Sequence, residues 1–253
     1  MSSQARVRTR ELRETQRVAA LKQAKRRRIS RWVGGALILG LLVAIGVAVV
    51  NAASGSEEKA GSSDVVAPAN LTDSGAIPVG QANAPVSVEI YYDYMCPACG
   101  AFETANGEEL DRLVEDGAAR VELRPISFLD RTSNGTEYST RTANAIATVV
   151  DAAPDQVWAF HTALYDAQPE EGTSGLDDRR IGEIAADAGV PADVVDRFGE
   201  RTYDGWVASA TEEAFGSGVS GTPTVNIDGE KFDGDLYTRG VLTQAIESAA
   251  REQ

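Results

Sequence analysis

Tyr91 to Gly100, Tyr-Tyr-Asp-Tyr-Met-Cys-Pro-Ala-Cys-Gly, constrains this chain more than any other stretch. Cys96 and Cys99 are the only cysteines among 253 residues, and two residues separate them. Val86 to Tyr92 before them alternates apolar with polar positions, as a strand does. Residues 97–116 after them carry helix-spaced apolar residues (Phe102, Leu110, Leu113, Val114). A Cys-x-x-Cys at a strand-to-helix junction marks a redox-active pair.

The spacing explains why. With the helix starting here, Cys96 falls near the N-cap, Pro97 at the first helical position and Cys99 at the third. Proline costs nothing at the first position, because its missing N–H has no partner there anyway. A sulfur at the N-cap faces free N–H groups and the positive end of the helix dipole, both of which favour a thiolate. Cys99, almost one turn later, lies on the same side. Cys96 is therefore the expected attacking thiolate and Cys99 its more buried, resolving partner. Two other uses compete. A structural disulfide across two residues closes so small a loop that it constrains little unfolded-state entropy. A zinc site needs four ligands, and beyond the cysteines the chain has only His161 as histidine.

Charge divides the chain. The net −14 averages residues 1–31, at +9, with the remaining 222 residues, at −23. Trp32 to Val50 is a run of 19 residues without charge. As a helix it spans about 28 Å, close to the roughly 30 Å hydrocarbon core of a bilayer. Residues 1–31 are expected to be a basic cytoplasmic tail, 32–50 a transmembrane helix in the lipid bilayer, and 51–76 a flexible linker rich in Ala, Ser, Gly and Asn. Basic residues beside an apolar span hold that end in the cytoplasm and attract anionic lipid. A nucleic-acid arm is the other use of such a run; the position favours lipid, and no nucleic-acid partner is expected. A cleaved signal peptide competes, with Ala52 and Ala53 as small residues. The apolar block exceeds the usual length and the basic leader is long, which favours an uncleaved signal-anchor. The expected location is the plasma membrane, single-pass, with the N-terminus cytoplasmic and the C-terminal domain extracytoplasmic.

From 77 the chain reads as a folded body, 77–253. Residues 77–85 lead in, and Val86 to Tyr92 is the first strand. The 97–116 helix carries an interruption at Asn106-Gly107. Gly117 stops it before a second strand, Arg120 to Phe128. Strand, helix and strand with a short return suggest a parallel βαβ unit. Residues 136–218 then look mostly helical, with segments at 141–151, 154–167, 177–188, 192–198 and 202–215. Thr224 to Ile227, the Asp228-Gly229 turn and Glu230 to Phe232 form a hairpin, and Asp235 to Ala250 a closing helix. No repeat is present, and Gly216-Ser217-Gly218 lacks the pattern of a phosphate loop. Asn134-Gly135-Thr136 fits a glycosylation pattern but reads as a turn. His161 falls among helical core positions and is expected to be structural.

The body resembles the DsbA-type thioredoxin-fold proteins. The matching residues are Ala84-Pro85-Val86, Asp93-Tyr94-Met95-Cys96-Pro97-Ala98-Cys99-Gly100, Trp158-Ala159-Phe160-His161-Thr162-Ala163-Leu164-Tyr165, Val219-Ser220-Gly221-Thr222-Pro223-Thr224 and Asn226-Ile227-Asp228-Gly229. The resemblance covers about residues 77–250. It implies an α/β fold, the thioredoxin fold with an inserted helical domain at about 136–218, preceded here by the N-terminal transmembrane helix. It also implies that Pro223 is the family's cis-proline beside the cysteines, and that the Thr222 backbone binds an extended substrate strand.

Three departures matter. Pro97-Ala98 stands between the cysteines, where the strongest oxidant of the family has a histidine in the second place. Ala98 offers no ring N–H to Cys96, so a less depressed thiol and a weaker oxidant are expected. Some members carry a buried acid six residues before the first cysteine; that position here is Ile90. Glu89 and Asp93 lie nearby, but neither is expected to act as a proton relay. No further cysteines exist for additional disulfides.

The function implied is a membrane-tethered, extracytoplasmic thiol-disulfide oxidoreductase of dithiol oxidase type. It would introduce disulfides into exported proteins with free thiols. No cofactor is expected beyond the Cys96–Cys99 pair, and a membrane quinone-linked reoxidase is the implied partner. The alternatives are a reductase or isomerase of exported proteins, or a redox-inert, membrane-anchored binding module with a structural disulfide.

Overall fold

A computed structural model describes residues 65–252. The basic tail, the apolar run 32–50 and the first part of the linker lie outside the described residues. Among the described residues, no helix is long and apolar enough to cross a membrane.

The frame is a five-stranded sheet of order β1-β3-β2-β4-β5. Its strands are β1 (Ile77–Val79), β2 (Val86–Tyr92), β3 (Ala119–Pro125), β4 (Thr224–Ile227) and β5 (Glu230–Lys231). β2 lies at the centre, parallel to β3 and antiparallel to β4. Its alternation is realised as expected: Val86, Val88, Ile90 and Tyr92 are buried, while Ser87, Glu89 and Tyr91 are half-buried. Helix α1 (Pro97–Glu115) joins the parallel pair.

Asn106 and Gly107 do not interrupt α1. Both are buried, and the Asn106 side chain donates to the Phe102 carbonyl within the helix and to the Leu236 carbonyl across it. A residue that disfavours helices in isolation is held here by tertiary hydrogen bonds. Two boundaries also differ. β3 ends at Pro125, because the Ile126 N–H turns to the Tyr92 carbonyl and the chain leaves the sheet. The last helix, α7 (Val241–Glu252), starts six residues later than the periodicity suggests. Asp235 accepts from the Tyr237 and Thr238 N–H groups and holds a turn, and Gly240 takes φ +86°. β1 follows no periodic pattern at three residues. It forms because β3 offers an open edge, pairing Ile77 with Leu123.

Between β3 and β4 lies the helical insertion: α2 (Tyr138–Ala152), α3 (Val157–Asp166), α4 (Asp178–Asp187), the short α5 (Ala192–Val195) and α6 (Asp204–Gly216). α2 is its axis, packing against α3, α4, α5 and α6. Its Ala145, Ile146, Val149 and Val150 are fully buried. Asp177 caps α4 by accepting the Arg180 N–H at 2.8 Å. Residues 69 and 70, near the end of the expected linker, lie against α2: the Ala69 N–H meets Asp151 and the Asn70 amide meets the Val150 carbonyl.

The insertion is tied to the frame by α3 on α1. The Trp158 indole N–H donates to the Asp111 carboxylate at 2.8 Å. Trp158→Phe removes this one bond while keeping an aromatic ring. It should cost about 1 kcal/mol in denaturant unfolding, the usual worth of a partly exposed hydrogen bond.

Candidate active site

The strand-to-helix turn places the cysteines. Cys96 is the N-cap of α1 with extended φ/ψ (−75°, 115°), and Pro97 opens the helix. The Cys96 carbonyl accepts the Cys99 and Gly100 N–H groups, which closes the first turn. Both cysteines are free thiols in this structure. Cys96 is 8% exposed and Cys99 1%. The order of accessibility matches expectation, though Cys96 presents only an edge. Pro97 is exposed and Ala98 half-buried beside it.

Across the sheet, the Thr222–Pro223 peptide bond is cis. The Cys96 sulfur lies 3.4 Å from the Thr222 carbonyl oxygen, to which it donates only while it keeps its proton. Sequence positions 126 residues apart thus meet at one sulfur. The same loop lines an open groove of about 390 Å³ that includes Ser220, Lys231 and Phe232.

The two thiols sit in opposite environments. Cys96 is pulled down from the ordinary 9.0 to about 6. The main cause is the hydrogen bond from the Cys99 thiol, opposed by burial and helped by the Thr222 side chain and the Cys99 and Ala98 N–H groups. Burial first, and then the bond it gives to Cys96, push the Cys99 thiol well above 9.0. The pair therefore holds one thiolate and one proton, arranged so that Cys96 carries the charge.

One supporting residue is not legible from motif spacing. Gln168, after α3, donates its amide to the carbonyls of Tyr94 and Cys96 at 3.0 and 2.9 Å, clamping the turn from behind. Nothing local in the sequence marks it. Asp93 is fully buried directly under the turn. Ile90, at the position of the family's buried acid, is buried in the sheet and brings no charge. Glu89, on the other face, pairs with Arg124 and Asn226. His161 is buried, with Nδ1 3.1 Å from the Tyr94 hydroxyl and Nε2 3.7 Å from Glu103. Both ring nitrogens thus have protein partners, and His161 sits in a cluster with Tyr92, Tyr165 and Trp158.

Comparison with known proteins agrees with this geometry. The family model described as thioredoxin matches residues 72–247. The reduced disulfide bond oxidoreductase DsbG of Mycobacterium tuberculosis superposes with TM-score 0.61 at 30% identity, covering 72% of this chain and 95% of that one. The thiol-disulfide oxidoreductase MdbA of Actinomyces oris superposes with TM-score 0.63 at 26% identity, covering 77% and 98%. Among curated proteins, the serine/threonine-protein kinase PknE of M. tuberculosis is 29% identical over 155 residues, 58% of this chain. The match spans only 27% of that kinase's length. The chain belongs to the thioredoxin family, in its branch of DsbA-type thiol-disulfide oxidoreductases.

Proposed function

We propose that the protein is a membrane-tethered, extracytoplasmic dithiol oxidase that introduces disulfides into exported proteins through Cys96 and Cys99. The observation that carries this reading is the opposed pair: a stabilised Cys96 thiolate at a helix N-terminus over a buried, protonated Cys99. A stabilised thiolate makes the reduced form low in free energy and Cys96 a good leaving group, which favours oxidation of clients.

The reaction balances as follows. A client thiolate attacks the Cys96 sulfur of the Cys96–Cys99 disulfide. That bond breaks, and Cys99 leaves with the electron pair and takes a proton. A second client thiolate attacks the client sulfur of the mixed disulfide, and Cys96 leaves as thiolate. Two electrons pass to the protein, the client gains one disulfide, and the second proton goes to solvent. The Thr222 backbone, beside Cys96, would hold the client as an extended strand, with Pro223 shaping the loop. A quinone-linked membrane reoxidase would restore the disulfide. The basic leader and the uncharged run 32–50 support the tether and its orientation.

Measuring the reduction potential of the full-length protein in detergent tests the direction. A value between about −120 and −200 mV fits an oxidase or isomerase. One near about −270 mV would make it a reductase, and one below about −300 mV a structural disulfide.

A further inference from the structure

We propose that Asp93 is the positioning residue of this site: its buried carboxylate fixes the turn that presents Cys96, and its charge limits how stable the Cys96 thiolate becomes. The inference rests on the redox reading of the pair but concerns a residue outside it.

Asp93 lies three residues before Cys96 and is 0% exposed. Its two carboxylate oxygens accept three hydrogen bonds from three parts of the fold. The Met95 N–H, within the turn, donates to Oδ1 at 2.8 Å. The Ser139 hydroxyl, on α2, donates to the same oxygen at 2.7 Å. The Leu129 N–H, beyond β3, donates to Oδ2 at 2.8 Å. The Asp93 carbonyl accepts the Cys96 N–H at 3.0 Å and the Tyr165 hydroxyl at 3.3 Å. One residue thus joins the cysteine turn to the loop after β3 and to two helices of the insertion.

The donors to this carboxylate among the described residues are neutral: two backbone N–H groups and one hydroxyl. Burial, with a smaller contribution from the charge of Cys96, raises it to about 6 despite the three bonds. The effect is mutual, since two negative charges in one low-dielectric region oppose each other. The other ionisable groups around it are Cys99 on α1, Tyr138 on α2 and Tyr165 on α3, all held protonated by burial through this range. Beyond them lie the His161–Glu103 pair and Arg141, which is bound to Asp178. The charge on Asp93 and the charge on Cys96 therefore oppose each other.

The test is the ultraviolet thiolate titration of the reduced full-length protein from about pH 4 to 8, with wild type, Asp93→Asn and Ser139→Ala compared. Asp93→Asn removes the charge, so the Cys96 ionisation constant should rise about tenfold. Its potential should move about 30 mV to the oxidising side, the same factor converted for a two-electron couple. The new amide N–H must also face the Met95 or the Leu129 N–H, so this variant carries a folding risk. Ser139→Ala avoids that risk: it keeps the charge, removes one donor, and makes the carboxylate easier to protonate. Its Cys96 titration should shift in the same direction by a smaller factor.

A purely structural Asp93 would lower stability in both variants and leave the thiolate titration unmoved; constants within twofold of wild type in the variants that fold would overturn the proposal. Failure of the redox reading shows separately, as a wild-type potential below about −300 mV or no turnover of a reduced peptide.

Discussion

Cys96→Ala is expected to reduce thiol-disulfide turnover to background, while Cys99→Ala should accumulate mixed disulfides with clients. The asymmetry follows from the site. Only Cys96 meets solvent, at 8% exposure against 1%, and only Cys96 has a depressed thiol. A client reaches the Cys96 sulfur, so its loss leaves nothing to attack. Cys99 acts from behind: its hydrogen bond is the largest contribution to the Cys96 thiolate. Without Cys99 the protein cannot form its own disulfide, and when the Cys96 thiolate attacks a client disulfide, the resulting mixed disulfide lacks the neighbouring thiol that would attack the Cys96 sulfur and free the client. Turnover of a reduced peptide checks the first variant, and non-reducing electrophoresis the second. An active Cys96→Ala protein would remove the functional assignment altogether.

The second large effect is a pH-dependent gap in stability between the reduced and oxidised proteins. Cys96 titrates at about 6 in the fold, against the ordinary 9.0 expected of the unfolded chain. A depressed value means that folding favours the deprotonated form. The stabilisation is fully present above the unfolded value of about 9 and is lost as pH falls through about 6. The interval corresponds to about 4 kcal/mol, and solvent screening at a thiol whose edge meets water reduces it to roughly 2 kcal/mol. The oxidised protein has no thiol to titrate and lacks this contribution. Asp93 acts with the opposite sign, its raised value favouring the protonated fold at low pH; it is present in both forms, so the difference largely removes it. The reduced protein should therefore unfold at higher denaturant than the oxidised one at pH 8, and the gap should shrink towards pH 5. Paired denaturant titrations across that range measure it. A gap that does not change with pH would mean that the Cys96 thiolate is not stabilised by the fold.

The local features were legible in the sequence because local physics decides them. The alternation of Val86, Val88, Ile90 and Tyr92 matches the buried face of β2 residue for residue. Cys96 and Pro97 stand at the N-cap and first position of α1, because the spacing of a proline and a sulfur at a helix start depends on backbone geometry alone. The Asp228-Gly229 hairpin has the same origin, since its positive φ values of 48° and 84° belong to residues that tolerate them. Where the sequence pattern misled, a distant partner overrode a local preference: Asn106 stays helical because Leu236 accepts its amide, and β1 exists because β3 has an edge to fill.

The chemistry of the site was only half legible. Composition and spacing identify two cysteines that can form a redox pair, and the resemblance assigns Thr222 and Pro223 beside them. The division of labour between the sulfurs needs the tertiary structure, because desolvation and hydrogen bonding are set by groups far away in sequence. Thr222 approaches Cys96 from 126 residues on, Gln168 clamps its carbonyl from the insertion, and Ser139 and Leu129 hold Asp93 beneath it. Sequence by itself determined which atoms can exchange electrons. The packing of sheet, turn and insertion decided which sulfur carries the charge, since the energy of a charge depends on its surroundings, and those are assembled only when the chain folds.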